Sequence, residues 1–288
     1  MKIFRMRVLG IVILIAASLV SASLAEASGS WPNEPAGSHV LTESEFACIA
    51  CNGWGLVGDS RTHIFSDPTS PGATRNVLRM TFPAGVPGGT GVGNVYYPLP
   101  GGGVQNLYAG FRWKPSSTWN GGSTGGQKIN FMIGQDFNWS LILLFYQGRI
   151  NVYYANNAGV NNCHLPNTWG DCPGSRQIFS NAYSPTITLD RWYQLEVYIK
   201  LSTTPTSRDG IIRWWIDGQL SGNYTTVNFP TKRIVQYEFN GTWGNAPETN
   251  RTEFNISYDQ ARLSTGGSVP NGDKTPPAAP SNVNVTVR

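Results

Sequence analysis

The chain has 288 residues, a formal net charge of +4, 13% charged residues, 33 Gly, 19 Pro and 10 Trp, 12 Tyr and 12 Phe. So small a net charge gives no global basis for binding nucleic acid or a membrane surface. The many aromatic residues exclude a mainly disordered chain, and the Gly and Pro content is typical of short strands joined by turns.

The first 27 residues predict a signal peptide. Lys2, Arg5 and Arg7 precede an apolar run over residues 8–20, and Ala25–Ala27 fits an A-x-A cleavage pattern. The run is too short for a resident membrane span. We therefore expect an exported product, secreted or periplasmic, with no membrane association. Loss of three basic residues and one acidic residue leaves 18 basic against 16 acidic, a net charge of +2.

Strand-like runs follow in chain order between turn clusters, and no long segment has the 3.6-residue period of a helix. The predicted strands span residues 77–82, 106–113, 127–133, 141–146, 149–154, 192–201, 211–217, 233–240 and 252–263. Gln147-Gly148 and Asp217-Gly218 predict hairpin turns. The pattern predicts an all-β fold, a two-sheet antiparallel jelly-roll sandwich, over residues 28–265.

Alternation along the strands assigns each side chain to a face, because neighbouring side chains point to opposite sides. It places Ile129, Phe131 and Ile133 inward, and likewise Ile150, Val152 and Tyr154. The side chains predicted to face outward are Lys128, Asn130, Met132, Arg149, Asn151, Tyr153, Arg213, Trp215, Gln236, Glu238 and Asn240. Strands that are half polar predict a sandwich with two solvent-facing sheets, one of which we expect to bind a ligand.

The four cysteines form two close pairs in the sequence. In an exported protein each pair can close as a local disulfide. We predict a bridge between Cys163 and Cys172, whereas the spacing of Cys48 and Cys51 fits a bridge or two free thiols. The second pair has the wrong spacing for a zinc knuckle, and a redox C-x-x-C would need βαβ surroundings that are missing here.

The C-terminal end differs in composition from the strands. Residues 266–280 predict a Gly/Pro linker, and residues 281–288 resemble the first strand of a fibronectin type III module. Such connectors are common in extracellular modular enzymes.

Three stretches of the sequence carry a family resemblance: residues 78–85 with 107–114, the Gly-Gly-Gln-Lys-Ile run at 125–129, and residues 209–218 with 238–244. Their order resembles the concanavalin A-like jelly roll of polysaccharide lyases, in particular alginate and glucuronan lyases of families 14 and 20. The resemblance implies a lyase that cleaves an acidic, uronic-acid-containing polysaccharide by β-elimination as a monomer. The same fold also hosts lectins and glucanases.

A β-elimination on a uronate needs a group that neutralises the carboxylate, a base for the abstracted proton and an acid for the leaving oxygen. By resemblance, Lys128 matches a functional lysine, and Tyr153 falls where the family places an outward tyrosine. Where the family has an arginine, this chain has Ile142, so Arg213 or Arg112 would have to take its role. His164, inside the Cys163–Cys172 loop, is a second candidate for moving the proton.

Further residues predict contacts with the sugar chain. The predicted binding residues are Asn130, Asn151, Trp215, Gln236, Glu238, Asn240 and Trp243, with Trp119 and Trp139 as additional stacking candidates. Tryptophans at such positions are equally expected at the edge of a core. Lys128, Asn130 and the other polar side chains also fit ordinary solvated strand positions.

A glucanase would need paired carboxylates on one strand, and the sequence has no such pair. Two other functions stay open from the sequence. The same sheet would serve a non-catalytic carbohydrate-binding module, or the chain would be an adhesion module. We expect no cofactor and no metal ligand set, with a structural calcium at Asp59, Asp67, Asp209 or Asp259 as an open alternative.

Overall fold

The computed structural model describes residues 31–119, 126–137, 139–156, 176–179, 183–229, 233–244 and 249–270. The predicted signal peptide, the Cys163–Cys172 loop with His164 and the fibronectin-like strand lie outside these residues. The strands are β1 (Ser38–Ser44), β2 (Gly55–Gly58), β3 (Thr62–Ser66), β4 (Asn76–Phe82), β5 (Gly91–Pro98), β6 (Asn106–Pro115), β7 (Gln127–Gly134), β8 (Trp139–Tyr146), β9 (Arg149–Asn156), β10 (Arg176–Phe179), β11 (Tyr193–Lys200), β12 (Gly210–Ile216), β13 (Gln219–Val227), β14 (Ile234–Thr242) and β15 (Phe254–Gly266).

The strands form two antiparallel sheets. Sheet A has the order β13-β12-β11-β6-β15-β4-β3, and β1 pairs with the second half of β15 beyond the end of β4. Sheet B has the order β10-β9-β8-β7-β14-β5-β2. Neighbouring strands that are distant in sequence, such as β6 and β15, give the crossed connections of a jelly roll. The predicted two-sheet jelly-roll sandwich is confirmed.

The core lies between the two sheets and is built from the inward half of each strand. Sheet A contributes side chains such as Leu78, Met80, Phe111, Trp113, Val197 and Trp214, and sheet B contributes Ile129, Leu141, Leu143, Val152 and Phe239. Burial of this apolar area, at about 25 cal/mol per Å², is the main favourable term in folding. No helix in the described ranges is long and apolar enough to cross a membrane.

Both predicted hairpin turns are present. Gln147 and Gly148 have φ values of 50° and 72°, and Asp217 and Gly218 have φ values of 51° and 76°. Two consecutive positive φ values match the twist of the strands that they join. The turns therefore connect β8 to β9 and β12 to β13 directly.

A bulge in β7 changes which side chains face the core. The register shifts between Lys128 and Asn130 where β7 pairs with β8. After the shift Asn130 pairs with the inward Phe239, and Met132 lies in the core. The predicted inward positions of Phe131 and Ile133 and the outward positions of Asn130 and Met132 are therefore wrong, because one extra residue reverses the alternation.

All nine predicted strands exist, whereas β1, β2, β3, β5, β10 and β13 were not predicted. Most of these lie at or near sheet edges, where the apolar alternation is weaker.

Cys48 and Cys51 form a disulfide with a Cα–Cα distance of 5.7 Å, which decides the alternative left open by their spacing.

Candidate functional site

The sheet B outer face gathers most of the polar residues that the sequence analysis selected. Residues paired directly across antiparallel strands point to the same side. One continuous row across five strands consists of Tyr153, Ile142, Phe131, Glu238 and Tyr96. A row on one side contains Ser140, Ile133 and Gln236, and the row on the other side contains Asn151, Leu144 and Lys128, with Asn240 opposite Asn94.

Lys128 and Tyr153 lie on this face two strands apart. With strands about 4.8 Å apart, their backbones are separated by about 10 Å across the sheet. The ammonium of Lys128 lies 5.6 Å from the ring centroid of Phe131, which places the cation above the central row. Both side chains are partly exposed, so a ligand on this face can reach them.

A ladder of side-chain hydrogen bonds runs along β14 on the same face. Gln236 Nε2 donates to Glu238 Oε1 (2.5 Å), and Asn240 Nδ2 donates to Glu238 Oε2 (3.2 Å). Thr242 Oγ1 donates to Asn240 Oδ1 (2.5 Å). We call these four residues the β14 ladder. Glu238 is 5% exposed, and within the described ranges no Lys or Arg forms an ion pair with it.

The outer face of sheet A is closed by the chain itself. The ring of Trp31 lies against Gly110, where an added Cβ would approach it to 2.5 Å. Asn33 donates through its backbone N and its Nδ2 to the two carboxylate oxygens of Glu196 (3.0 and 3.1 Å). Glu34 forms an ion pair with Arg262 (2.8 Å). Residues 31–37 therefore lie across the middle of this face.

A second segment, residues 67–74, covers the other side of the sheet A outer face. Asp67 accepts a hydrogen bond from Lys114 Nζ (2.6 Å), and Asp259 accepts hydrogen bonds from Ser70 Oγ and from the Gly72 backbone N. Burial raises the pKa of Asp259, and these bonds only partly oppose the shift. Burial alone would also raise the pKa of Asp67, but hydrogen bonds from Lys114 and Thr69 leave it below the usual value.

Two predicted site residues lie on this covered face and not on sheet B. Arg213 and Trp215 belong to β12 of sheet A, and they are 8% and 2% exposed. Arg213 donates to Asn223 Oδ1 and to the Pro270 carbonyl, while Trp215 packs with Tyr108 and Tyr198. Their predicted grouping with Lys128 and Tyr153 on one face is therefore wrong, because strand alternation gives the side of a sheet but not the sheet.

Arg112 cannot replace the missing arginine either. It lies on β6, on the outer face of sheet A, 6.0 Å from the ring of Trp31. Ile142 occupies the centre of the sheet B outer face, between Tyr153 and Phe131. Of the three cations considered for neutralising the carboxylate, Arg112 and Arg213 lie on sheet A, and Lys128 lies near the centre of the sheet B outer face.

Several predicted binding residues are buried in the core. Asn130 is fully buried after the β7 bulge, and Trp243 and Trp139 belong to the core cluster. Trp119 stacks on Phe145 with ring centroids 4.0 Å apart. Asn130, Trp139 and Trp243 therefore do not lie on the sheet B outer face, whereas Trp119 is partly exposed.

The residues on this face that sequence reasoning missed are Asn94 and Tyr96 on β5, together with Phe131. The sequence analysis predicted no strand over β5, although Asn94 and Tyr96 alternate with Val95 and Tyr97. Tyr96 lies over Gly55 of the neighbouring β2, where an added Cβ would approach the ring to 2.4 Å. That alternation is the signal that would have found the strand.

The four acidic residues considered for calcium lie in separate places. Asp59 pairs with Arg61 (2.6 Å), Asp67 pairs with Lys114, and Asp209 accepts hydrogen bonds from Ser207 Oγ (2.6 Å) and the Thr203 backbone N (3.0 Å). Asp259 is held by Ser70 and Gly72. No group of three metal-binding side chains occurs in the part of the chain that the structure describes.

Comparison with solved structures finds the same fold in alginate and glucuronan lyases. A variant of alginate lyase Aly36B with a lysine and a methionine replaced with alanine, in complex with alginate trisaccharide, has a TM-score of 0.56 and 20% identity, covering 82% of this chain and 96% of that one. Alginate lyase vAL-1 from Chlorella virus has a TM-score of 0.59 and 12% identity, and the match covers 79% of this chain and 100% of that one. Endo-β-1,4-glucuronan lyase from the fungus Trichoderma reesei has a TM-score of 0.54 and 14% identity, and the match covers 75% of this chain and 92% of that one.

The fold is the jelly roll of these lyases. No protein-family model matches the sequence, and no curated protein matches it. At these identities the likeness concerns the fold. The chemistry of this chain therefore depends on the side chains that it places on the sheet B outer face.

Proposed function

We propose that the chain is a polysaccharide lyase that cleaves an acidic polysaccharide by β-elimination on the sheet B outer face. The observation that carries the proposal is that Lys128, Tyr153, Asn151, Gln236 and Asn240 share this one face. The fold likeness to alginate and glucuronan lyases supports the proposal. We also propose that the chain is exported, as its N-terminal sequence predicts.

The residues of the face divide the chemistry among them. The ammonium of Lys128 would offset the negative charge of the uronate carboxylate, which makes the proton on the neighbouring carbon easier to remove. Tyr153 as its phenolate would take the proton from that carbon, and the hydroxyl so formed would donate it to the leaving glycosidic oxygen. The electron pair of the broken C–H bond forms the double bond as the glycosidic C–O bond breaks.

A purified mature chain tests the proposal. Incubation with alginate and with glucuronan is expected to produce an unsaturated uronic-acid end, which is followed by its ultraviolet absorbance. Lys128→Ala is expected to lose this signal, while Lys200→Ala on sheet A keeps it. If no uronan gives an unsaturated product, the proposed activity is wrong.

Binding without cleavage is the second candidate function. Its support is a set of three partly exposed aromatic rings in the central row of the face, Tyr153, Phe131 and Tyr96. Aromatic rings of this kind stack on sugar rings without reacting. Retention of the chain on an alginate matrix, with no unsaturated product, would select this function over the lyase.

A further inference from the structure

The two sheets contain the same short motif in different settings. Gln194 and Glu196 on β11 repeat the spacing of Gln236 and Glu238 on β14, and in both cases the amide Nε2 donates to the carboxylate two residues later. Both glutamates lie on the outer face of their sheet. The pair on sheet A thus serves as an internal reference for the pair on sheet B.

On sheet A the remaining capacity of the carboxylate is filled by the protein. Besides Gln194, Glu196 accepts the hydroxyl of Tyr108 (2.6 Å) and two N–H groups of Asn33. A buried carboxylate has about four lone-pair sites, and its burial is tolerated when donors fill them. Glu196 therefore shows what a complete donor set looks like in this fold.

On sheet B the corresponding set is incomplete within the described residues. Glu238 accepts one N–H from Gln236 and one from Asn240, although it is only 5% exposed. Because an ionised carboxylate only accepts hydrogen bonds, it fixes the amide N–H groups of both neighbours toward itself. The carbonyl oxygen of Gln236 then turns away from Glu238.

We propose that the β14 ladder is a subsite that recognises sugar hydroxyl groups and rejects a sugar carboxylate. The lone pairs of Glu238 that no described residue fills, and the Gln236 carbonyl oxygen, accept hydrogen bonds, as Glu196 accepts the Tyr108 hydroxyl. An anionic edge of the sugar is repelled here and directed toward Lys128 on the adjacent β7. The ladder would thus orient the uronate, and the inference rests on the proposed function of the face.

The test compares Glu238→Gln with the exchange variant Gln236→Glu/Glu238→Gln, which keeps the net charge but moves the carboxylate. The measurements are KM and kcat for the uronan that the wild type cleaves fastest, and Kd for alginate trisaccharide by calorimetry. We expect both variants to raise KM and Kd about tenfold, as for the loss of one to two hydrogen bonds, with kcat within threefold. Gln236→Ala is expected to raise KM and Kd in the same way with kcat little changed. It tests the subsite if Glu238→Gln does not fold.

Glu196→Gln is the matched control, since it makes the same change in the same motif on the covered face. It is expected to lower the melting temperature and leave KM unchanged. A KM and Kd within twofold of wild type in Glu238→Gln would overturn the subsite, and so would full recovery in the exchange variant. A wild type that binds trisaccharide without cleaving it would refute the lyase but leave the subsite to be judged by Kd. A wild type that neither binds nor cleaves refutes both.

Discussion

The two outer faces of this sandwich are built from similar half-polar strands, but they differ in how far the chain itself covers them. On sheet A, residues 31–37 and 67–74 lie over the strands, and Glu196, Asp67 and Asp259 are all held by donors from the chain. On sheet B, the polar groups of the β14 ladder bond mainly to one another, and Lys128 and Tyr153 stay partly exposed. A polar strand face alone therefore does not indicate a binding surface.

The comparison separates stability from function. Buried ion pairs and hydrogen bonds on sheet A are costly to break because the remaining partner stays buried. On sheet B, Lys128 and Tyr153 stay partly exposed, so their loss is expected to change activity more than folding. Substitutions on each face test whether the two faces differ in this way.

The largest effect is expected for Lys128→Ala. Loss of the Lys128 cation on the sheet B outer face should lower kcat/KM by about a thousandfold, as for removal of one electrostatic catalytic group, with little change in melting temperature. Initial rates of unsaturated-product formation measure it. Lys200→Ala, on the outer face of sheet A near Asp209 (3.5 Å), is the control and should stay fully active. Activity of Lys128→Ala above a tenth of wild type would contradict the assignment.

The next largest effect is expected for Asp67→Asn on the sheet A outer face. Removing the charge leaves Lys114 buried with a weakened partner, which should lower the free energy of unfolding by about 3 kcal/mol without changing KM. Urea unfolding measures the loss. Asp59→Asn, which breaks the exposed pair with Arg61, should show no measurable change.

This difference should also depend on pH. Because the folded pKa of Asp67 is below its usual value, its stabilisation is present above about pH 4 and is lost as the pH falls through the folded pKa. The difference in free energy of unfolding between wild type and Asp67→Asn should therefore become smaller in acid. A gap that stays constant down to the acid limit of folding would argue against the ion pair as its source.

A smaller effect is expected for Gly110→Ala. The new methyl group would displace the Trp31 ring that covers the centre of sheet A, which should cost about 2 kcal/mol of stability. Thermal unfolding measures it. In a Trp31→Ala background the same substitution should cost little, since the clash is gone. Equal costs in both backgrounds would show that Trp31 does not close this face.

The smallest effect is expected for Phe131→Ala. Loss of an aromatic surface in the central row of sheet B should weaken binding of alginate trisaccharide by about 1 kcal/mol, roughly a fivefold rise in Kd by calorimetry. Phe65→Ala, on the β3 edge of sheet A under Arg79, is the matched control and should bind normally. Unchanged binding in Phe131→Ala would remove this ring from the glycan path.

Much of the architecture could be predicted because it depends on local rules. The alternation in β9 correctly placed Ile150, Val152 and Tyr154 in the core, and the Gln-Gly and Asp-Gly turns fixed two hairpins. The alternation in β7 failed after Ile129, because a bulge depends on pairing with β8 and leaves no mark in the sequence of β7 alone.

The sequence by itself determined that this chain is a two-sheet β sandwich, and that Lys128, Tyr153, Asn151 and the β14 polar residues point away from its core. Only the tertiary structure decided that Arg213 and Trp215 belong to the other sheet, and that residues 31–37 cover that sheet. The physical reason is that the two-residue period of a strand fixes the side on which a residue lies. The sheet that a strand joins, and what packs over it, depend on contacts between residues far apart in the chain.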